Sequence, residues 1–488
     1  MTRTRFGSER DRTLVGRLCL FLANAMVIAA LGVSAIGRAA AADEGAAFIG
    51  RASCATATCH GGIAGQGPAW HASAAVWEAV DPHAHAGQVL LNPLSRRIVS
   101  ALDPESQHSE AALARTLQER CASCHAPALT RWQVPNEKDG KWPLTALHAP
   151  LSAGVACEDC HGRASVWQPQ HTSKNWTGAE RFHPQTGMLD TESPLQRTDI
   201  CTQCHVGSYT AGGSVRDMNH DMVAAGHPAL HFDMLKHHHR LPVHWDDQRE
   251  ALGALKPVEL ARAAEALRSR VLLAALRLSA SRQAAGATAP QPELSEFDCA
   301  ACHHALQLES FRQARSSPGA PLWQPWYTAA LPLELPREEL RMDRSDLAER
   351  LRALEKPLEQ RAQSLRDDQA AHDPAKHFSA LLEGANVDAR FDYCTAPAWV
   401  DQLELAGRSL FQDEQYAALS NFENRLFAFR RDVLGYGAST ERNGRSANPQ
   451  APSPLELLMP RPWTLSEVER LRRDLARGLN LQENGPGR

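Results

Sequence analysis

The chain has 488 residues, 43% hydrophobic and 22% charged, enough for two or three domains with a sizeable core and too apolar for wholesale disorder. Its formal net charge is −4, divided as +4 in residues 1–42 and −8 in the remainder. No basic patch stands out, which argues against nucleic acid as a partner.

In chain order, the first element is an export signal. Arg3, Arg5, Arg10, Arg12 and Arg17 precede the apolar run LCLFLANAMVIAALGVSAIG, and AAAAD offers small residues for cleavage near Ala42. The run is about 20 residues, just enough to span a bilayer, so an uncleaved N-terminal anchor is the alternative. Either way the bulk of the chain is expected outside the cytoplasm: periplasmic, or held at the inner membrane by its N-terminus. No other segment is apolar enough to cross a membrane.

Residues 43–305 are rich in Gly, Pro and His and carry most of the 12 cysteines. Cys19 lies in the signal and Cys394 stands alone, the latter expected as a buried free thiol. Eight cysteines fall in four C-x-x-C-H units: Cys121, Cys124 and His125; Cys157, Cys160 and His161; Cys201, Cys204 and His205; Cys299, Cys302 and His303. This is the attachment signature of c-type haem. Two thiols add to the two vinyl groups of the porphyrin, and the adjacent histidine lies under the iron as its proximal ligand. Paired C-x-x-C units also build zinc sites, but zinc does not require a histidine directly after the second cysteine. CATATCH, from Cys54 through Cys59 to His60, has four residues between its thiols. A longer loop can bulge outward and still reach both vinyls, so it is read as a fifth attachment site. The alternative is a Cys54–Cys59 disulfide beside a surface histidine.

Beyond the five proximal histidines, fourteen of the remaining seventeen fall between residues 71 and 244, a pool for the opposite axial position. His83 and His85 open an apparent helix, His171 lies between tryptophans, and His220, His227, His231 and His244 follow the fourth motif. His237–His239 read as a solvated cluster rather than a ligand set, with coordination by one member left open. Met188, Met218, Met222 and Met234 read as packing. Two axial histidines give a low-spin iron that exchanges one electron with little rearrangement.

The later elements are helical. Residues 257–282 form a helix with Pro257 in the first turn and Leu260, Leu267, Val271, Ala274 and Leu278 in one apolar stripe. After a Pro/Trp-rich connector, Leu347, Leu351, Leu354, Leu358 and Leu365 recur at helical spacing, with a bend expected at Pro357. Further helices are expected over 397–435 and from Thr464, where Glu467 suits a capping box, to a stop at Gly478. The expected fold class is mainly α: a haem-organised multihaem domain with little regular sheet over 43–305, then a helical C-terminal region over 306–488.

GVACEDCHG (154–162), the W…DPHA element and NHDMVAAGHP together resemble the multihaem cytochrome c-552/4 (cytochrome c-554-like) domain family, over roughly residues 50–305. The stretched first motif and the long C-terminal half depart from its small four-haem members. The resemblance implies His83, His171, His220, His227 and His244 as the distal set. It also implies an electron carrier with five covalent haem c groups, working between redox proteins such as a quinol dehydrogenase, other cytochromes or a terminal reductase. Two rivals stay open: a haem oxidoreductase acting on a small nitrogen or sulfur species through one open iron, and a docking subunit of a membrane electron-transfer complex. Neither rival is tied to particular residues by the sequence, since Arg96 and Arg97 lie near the motifs without pointing to an open iron.

Overall fold

The computed structural model describes residues 46–130, 151–176, 181–209, 215–238, 241–245, 257–284, 293–303, 323–328, 331 and 347–363. The expected signal, Cys394 and the helices beyond residue 363 lie outside the described residues. Among the described residues no helix is long and apolar enough to cross a membrane. The architecture is mainly helical, with one two-stranded antiparallel ribbon in which β1 (Ser208–Tyr209) pairs with β2 (Val215–Arg216). The chain divides into two units: residues up to Ser53 with Cys157–Asp190, and Cys54–Ala156 with Thr191 onward.

In the larger unit, short helices are started by side chains that accept the free N–H groups of their first turns. Before α1 (Ser73–Val80) the chain winds through short turns. Helix α2 (Pro93–Leu102) has Asn92 accepting from the Ser95 N–H, and α3 (Glu110–Thr116) has Ser109 accepting from Ala112. A π turn, Leu117–Cys121, joins α3 to α4 (Ala122–His125), so the second motif begins where the helix is locally widened. Such bulges tend to occur where a side chain must be re-aimed. With α5 (Pro127–Thr130), these elements enclose a small core of Leu90, Val99, Leu117, Leu129 and Leu151. The DPHA segment is not the start of a long helix. Asp81 caps a single 3-10 turn, Pro82–His85, and the carboxylate of Asp81 holds both N–H groups of His83.

The larger core of this unit forms around α10 (Pro257–Ala284), 28 residues and about 42 Å long at 1.5 Å per residue. The stripe expected on it understates its burial. Ala263, Ala264, Ala266, Leu272, Leu273, Ala275 and Leu276 are buried as well, so the helix is covered on nearly every side. Against it pack α7 (Pro194–His205), α9 (Met234–His238) and α13 (Leu347–Gln363), the last with Pro357 inside it as expected. Leu354 and Leu358 of α13 share one core with Leu267 and Leu272, so this core runs across position 305. Around it lie α8 (His220–Ala224), α11 (Cys299–Cys302) and α12 (Pro325–Thr328). The α10 surface also carries a buried ion pair, Arg268 to Asp233 at 2.6 Å.

In the smaller unit, α6 (Cys157–His161) is the third motif itself. Glu158, between its two cysteines, is buried and accepts N–H groups from Ile49 (3.0 Å), Gly50 (2.7 Å) and Ala164 (2.9 Å). Ala47 and Ser165 close the same clasp, with the Ser165 N–H on the Ala47 carbonyl at 3.1 Å. The third motif is therefore held by one carboxylate that satisfies three backbone donors.

Candidate functional site

The five motifs are built in two ways. Four end short helical turns, which put the terminal histidine beside the second cysteine with its ring off the helix end. CATATCH instead folds back on itself: Cys59 N–H reaches Thr56 O at 3.0 Å, His60 N–H reaches Cys54 O at 3.2 Å and Gly61 N–H reaches Thr56 O at 2.9 Å. The four residues between the thiols, two more than in C-x-x-C, are thus taken up in a compact turn, and a Cβ on Gly61 would stand 2.3 Å from Ala55 O, so the turn closes only over glycine. Among the described residues the ten motif cysteines form no disulfide. Cys121 is buried and Cys201 half-buried against the large core, and desolvation pushes them up to about 11 and about 12 respectively.

Each of three motif histidines faces a histidine from outside the motifs. His125 lies 6.2 Å from His227 between ring centres, His205 lies 6.0 Å from His83, and His303 lies 6.1 Å from His220. Two imidazoles bonded through Nε2 to opposite sides of one metal, with bonds of about 2.0 Å and about 1.1 Å from nitrogen to ring centre, have centres about 6.3 Å apart. The three spacings fit an iron held between two histidines.

Hydrogen bonds sort the remaining rings. A backbone carbonyl or carboxylate only accepts, so a ring nitrogen against one carries the proton, and the other nitrogen keeps its lone pair for a metal. Nδ1 donates in this way from His60 to Trp70 O (2.8 Å), from His83 to Asp81 (2.9 Å) and from His125 to Ala86 O (3.1 Å). The same holds for His227 to Pro228 O (2.9 Å), His244 to Pro242 O (3.1 Å) and His171 to Gln168 O. In all six the proton is on Nδ1, so Nε2 is the nitrogen that carries the ring's lone pair. Three histidines outside the expected set do the opposite. His71 donates through Nε2 to Ala57 O at 3.1 Å, His183 Nδ1 accepts from the Gln185 N–H at 3.3 Å, and His238 Nδ1 accepts from Arg197 at 2.9 Å. The structure therefore separates ligand-ready rings from the others by tautomer. His171 packs edge-on to Trp167 at 5.7 Å, in the same unit as the third motif. His244 packs edge-on to Trp245 at 5.1 Å.

Charges in the larger unit follow the same arrangement. Burial, then His237, His83 and His125, push His205 down to about 3, which keeps that ring neutral. Burial is also the main cause of the lowered value at His125. His83 is raised, first by its hydrogen bond to Asp81. Burial works against the charge on Asp81, but its hydrogen bonds with His83 outweigh this and the carboxyl stays below its usual value.

The expectation of a solvated His237–His239 cluster is corrected for the two members described. His238 is buried on Arg197, and His237 lies 4.3 Å from His205 and 6.4 Å from His83, forming with them a three-histidine group. No local sequence signal marks it, because the placement depends on α9 packing against α10. Met222 and Met234 are buried in packing, as expected. Motifs two and four are side by side. The Cys124 thiol, held low chiefly by a hydrogen bond with Cys204, adjoins a guanidinium from β2: Arg216 Nε donates to Ser123 O (2.9 Å) and Nη1 to Gln203 Oε1 (2.7 Å).

Residues 53–162, which contain the first three motifs, match the family model described as cytochrome c554 and c-prime. No curated protein and no solved structure matches the chain. The matched segment is a cytochrome c554-like domain, a module for electron transfer through covalently bound haem c.

Proposed function

We propose that, around this cytochrome c554-like domain, the chain is a periplasmic pentahaem c-type cytochrome that passes electrons between other redox proteins. One observation carries this reading: three motif histidines each face an outside histidine at 6.0–6.2 Å, the spacing of two ligands on one iron. Haem c supplies a one-electron iron couple. The protein's part is to hold both axial positions. His83, His220 and His227 take the positions opposite His205, His303 and His125. His171 and His244, in the same ligand-ready tautomer, complete the distal set. Because Asp81, Ala86 and Pro228 fix ring orientations from behind, the rings need not turn when the charge between them changes. Closed axial positions favour a carrier over an oxidoreductase, which needs one iron open to its substrate.

The compact CATATCH turn, with His60 in the same tautomer, supports attachment at the first motif and hence the count of five. The arginine-led apolar run at the N-terminus supports export, with the membrane reached only through an uncleaved N-terminus. Partners are other electron carriers: a quinol dehydrogenase, cytochromes or a terminal reductase. The test is the electronic spectrum of the mature, reduced chain with and without carbon monoxide. Low-spin spectra that ignore the gas are expected. A gas-binding fraction in the parent chain would replace the carrier with the oxidoreductase.

A further inference from the structure

The fifth motif reaches the body of the larger unit through two buried glutamates that the haem-site reading leaves unexplained. Glu296 ties its turn to α10: Oε1 accepts from Arg282 (2.7 Å), and Oε2 accepts from Ser279 (2.6 Å) and Trp323 Nε1 (2.9 Å). Glu293 does something different. Its Oε1 accepts the Ser295 N–H at 3.0 Å, capping the 3-10 turn Leu294–Glu296 that leads into Cys299, Cys302 and His303. The same oxygen accepts the backbone N–H of His220 at 2.7 Å, across 73 residues of sequence. That N–H belongs to the first turn of α8, where helix donors have no partner inside the helix. Asn219 takes the Met222 N–H of this turn at 3.1 Å, and Glu293 takes the one on His220 itself.

We propose that Glu293 is the positioning residue of the fifth site, joining through one carboxylate oxygen the backbone of His220 to the segment that carries His303. This rests on the reading of His220 and His303 as the two ligands of one iron. A lone hydrogen bond near the surface would add little. Here the acceptor is buried, and losing it leaves two backbone donors without a partner on the two sides of a 6.1 Å gap. The ring of His220 is then free to draw back, and an iron with a slack sixth ligand takes up small gases.

The experiment uses the full five-haem chain, reduced and titrated with carbon monoxide. His220→Ala should add about one gas-binding haem per chain relative to the parent, since it deletes the ligand itself. Glu293→Ala should add the same haem in part or in full. Glu293→Gln keeps an oxygen in place for both N–H groups and should add none. If His220→Ala opens no haem, the pairing of His220 with His303 fails, and the role of Glu293 with it. If His220→Ala opens one and Glu293→Ala does not, the pairing stands and Glu293 is refuted alone. Opening in both Glu293→Ala and Glu293→Gln also refutes it, because charge rather than acceptance would then matter. Should Glu293→Ala fail to mature, Glu293→Asp decides: it draws the oxygen back by about one bond length, so partial opening supports the proposal and none overturns it.

Discussion

Gly154, just before the third motif, offers a sharp test of how the fourth site is held. Its φ is +57°, in the left-handed region, and a Cβ there would stand 2.4 Å from His83 O and 2.5 Å from Ala84 O. The next residue already uses that carbonyl, with Val155 N–H on His83 O at 2.9 Å. Gly154→Ala would cost about 1–2 kcal/mol for the backbone conformation and about 1–3 kcal/mol for overpacking, offset by less than about 1 kcal/mol from a stiffer unfolded chain. A net loss of about 3 kcal/mol is expected. The contact is against backbone, so relief requires the Pro82–His85 turn to move by about 1 Å, to ordinary van der Waals separation. That turn carries His83, and a displacement of this size breaks a coordinate bond. The variant should therefore lower the melting temperature and turn one haem high-spin and gas-binding, read by absorption and electron paramagnetic resonance. An unchanged melt together with five low-spin haems would refute both the strain argument and the place of His83 at the fourth site.

His227→Ala should open one haem to carbon monoxide, whereas His238→Ala should open none, because its Nδ1 already accepts from Arg197. Intact mass of the mature chain should show five haem additions, and Cys54→Ser should leave one thioether through Cys59 or lose that haem alone; a four-haem mass with Cys54 and Cys59 bridged would contradict attachment at CATATCH. Asp233 is held below the usual carboxylate range by Arg268 despite its burial, so its contribution is present above about pH 4 and is lost as pH falls through its lower folded value. Acid unfolding followed by circular dichroism should show Asp233→Asn destabilised at neutral pH, by a margin that shrinks below pH 4. An equal margin at all pH values would remove this ion pair from the acid response.

What could be read from the sequence depended on how local the chemistry is. Thioether attachment and the proximal histidine need residues that are neighbours in the chain, so the motifs were legible as strings. The helix at 257–284 was legible from its period, but its burial on nearly every side was not, because alanines read as neutral until α7 and α13 lie against them. The distal histidines are long-range partners. Their candidates came from a family resemblance, and the tautomers add which nitrogen carries the lone pair: Nε2 in His83, His171, His227 and His244, and Nδ1 in His71, His183 and His238. Glu158, between two cysteines, anchors the smaller unit through three backbone donors. Nothing in a linear reading says that a variable position inside C-x-x-C-H is structural.

The nearness of motifs two and four is likewise invisible in the string. Motifs two and four are 80 residues apart in sequence. The chain leaves α7 through Gly207, turns back through β1 and β2, and lays Arg216 across both motifs, onto Ser123 O and Gln203 Oε1. The return is tight: Gly207 sits at φ +123°, and a Cβ there would meet Arg216 O at 2.5 Å. Arg216 thus links the two attachment turns to each other, while α7 is separately held to the large core through Leu195 and the Arg270–Asp199 pair. Electron exchange falls steeply with distance, so a strut between two attachment turns sets which pair of haems communicates fastest. Arg216→Gln keeps a donor but cannot span both acceptors. It should leave the haem count and axial ligands intact while weakening the magnetic coupling between two of the haems. Unaltered coupling in Arg216→Gln would show that the arginine is not what keeps the two sites together.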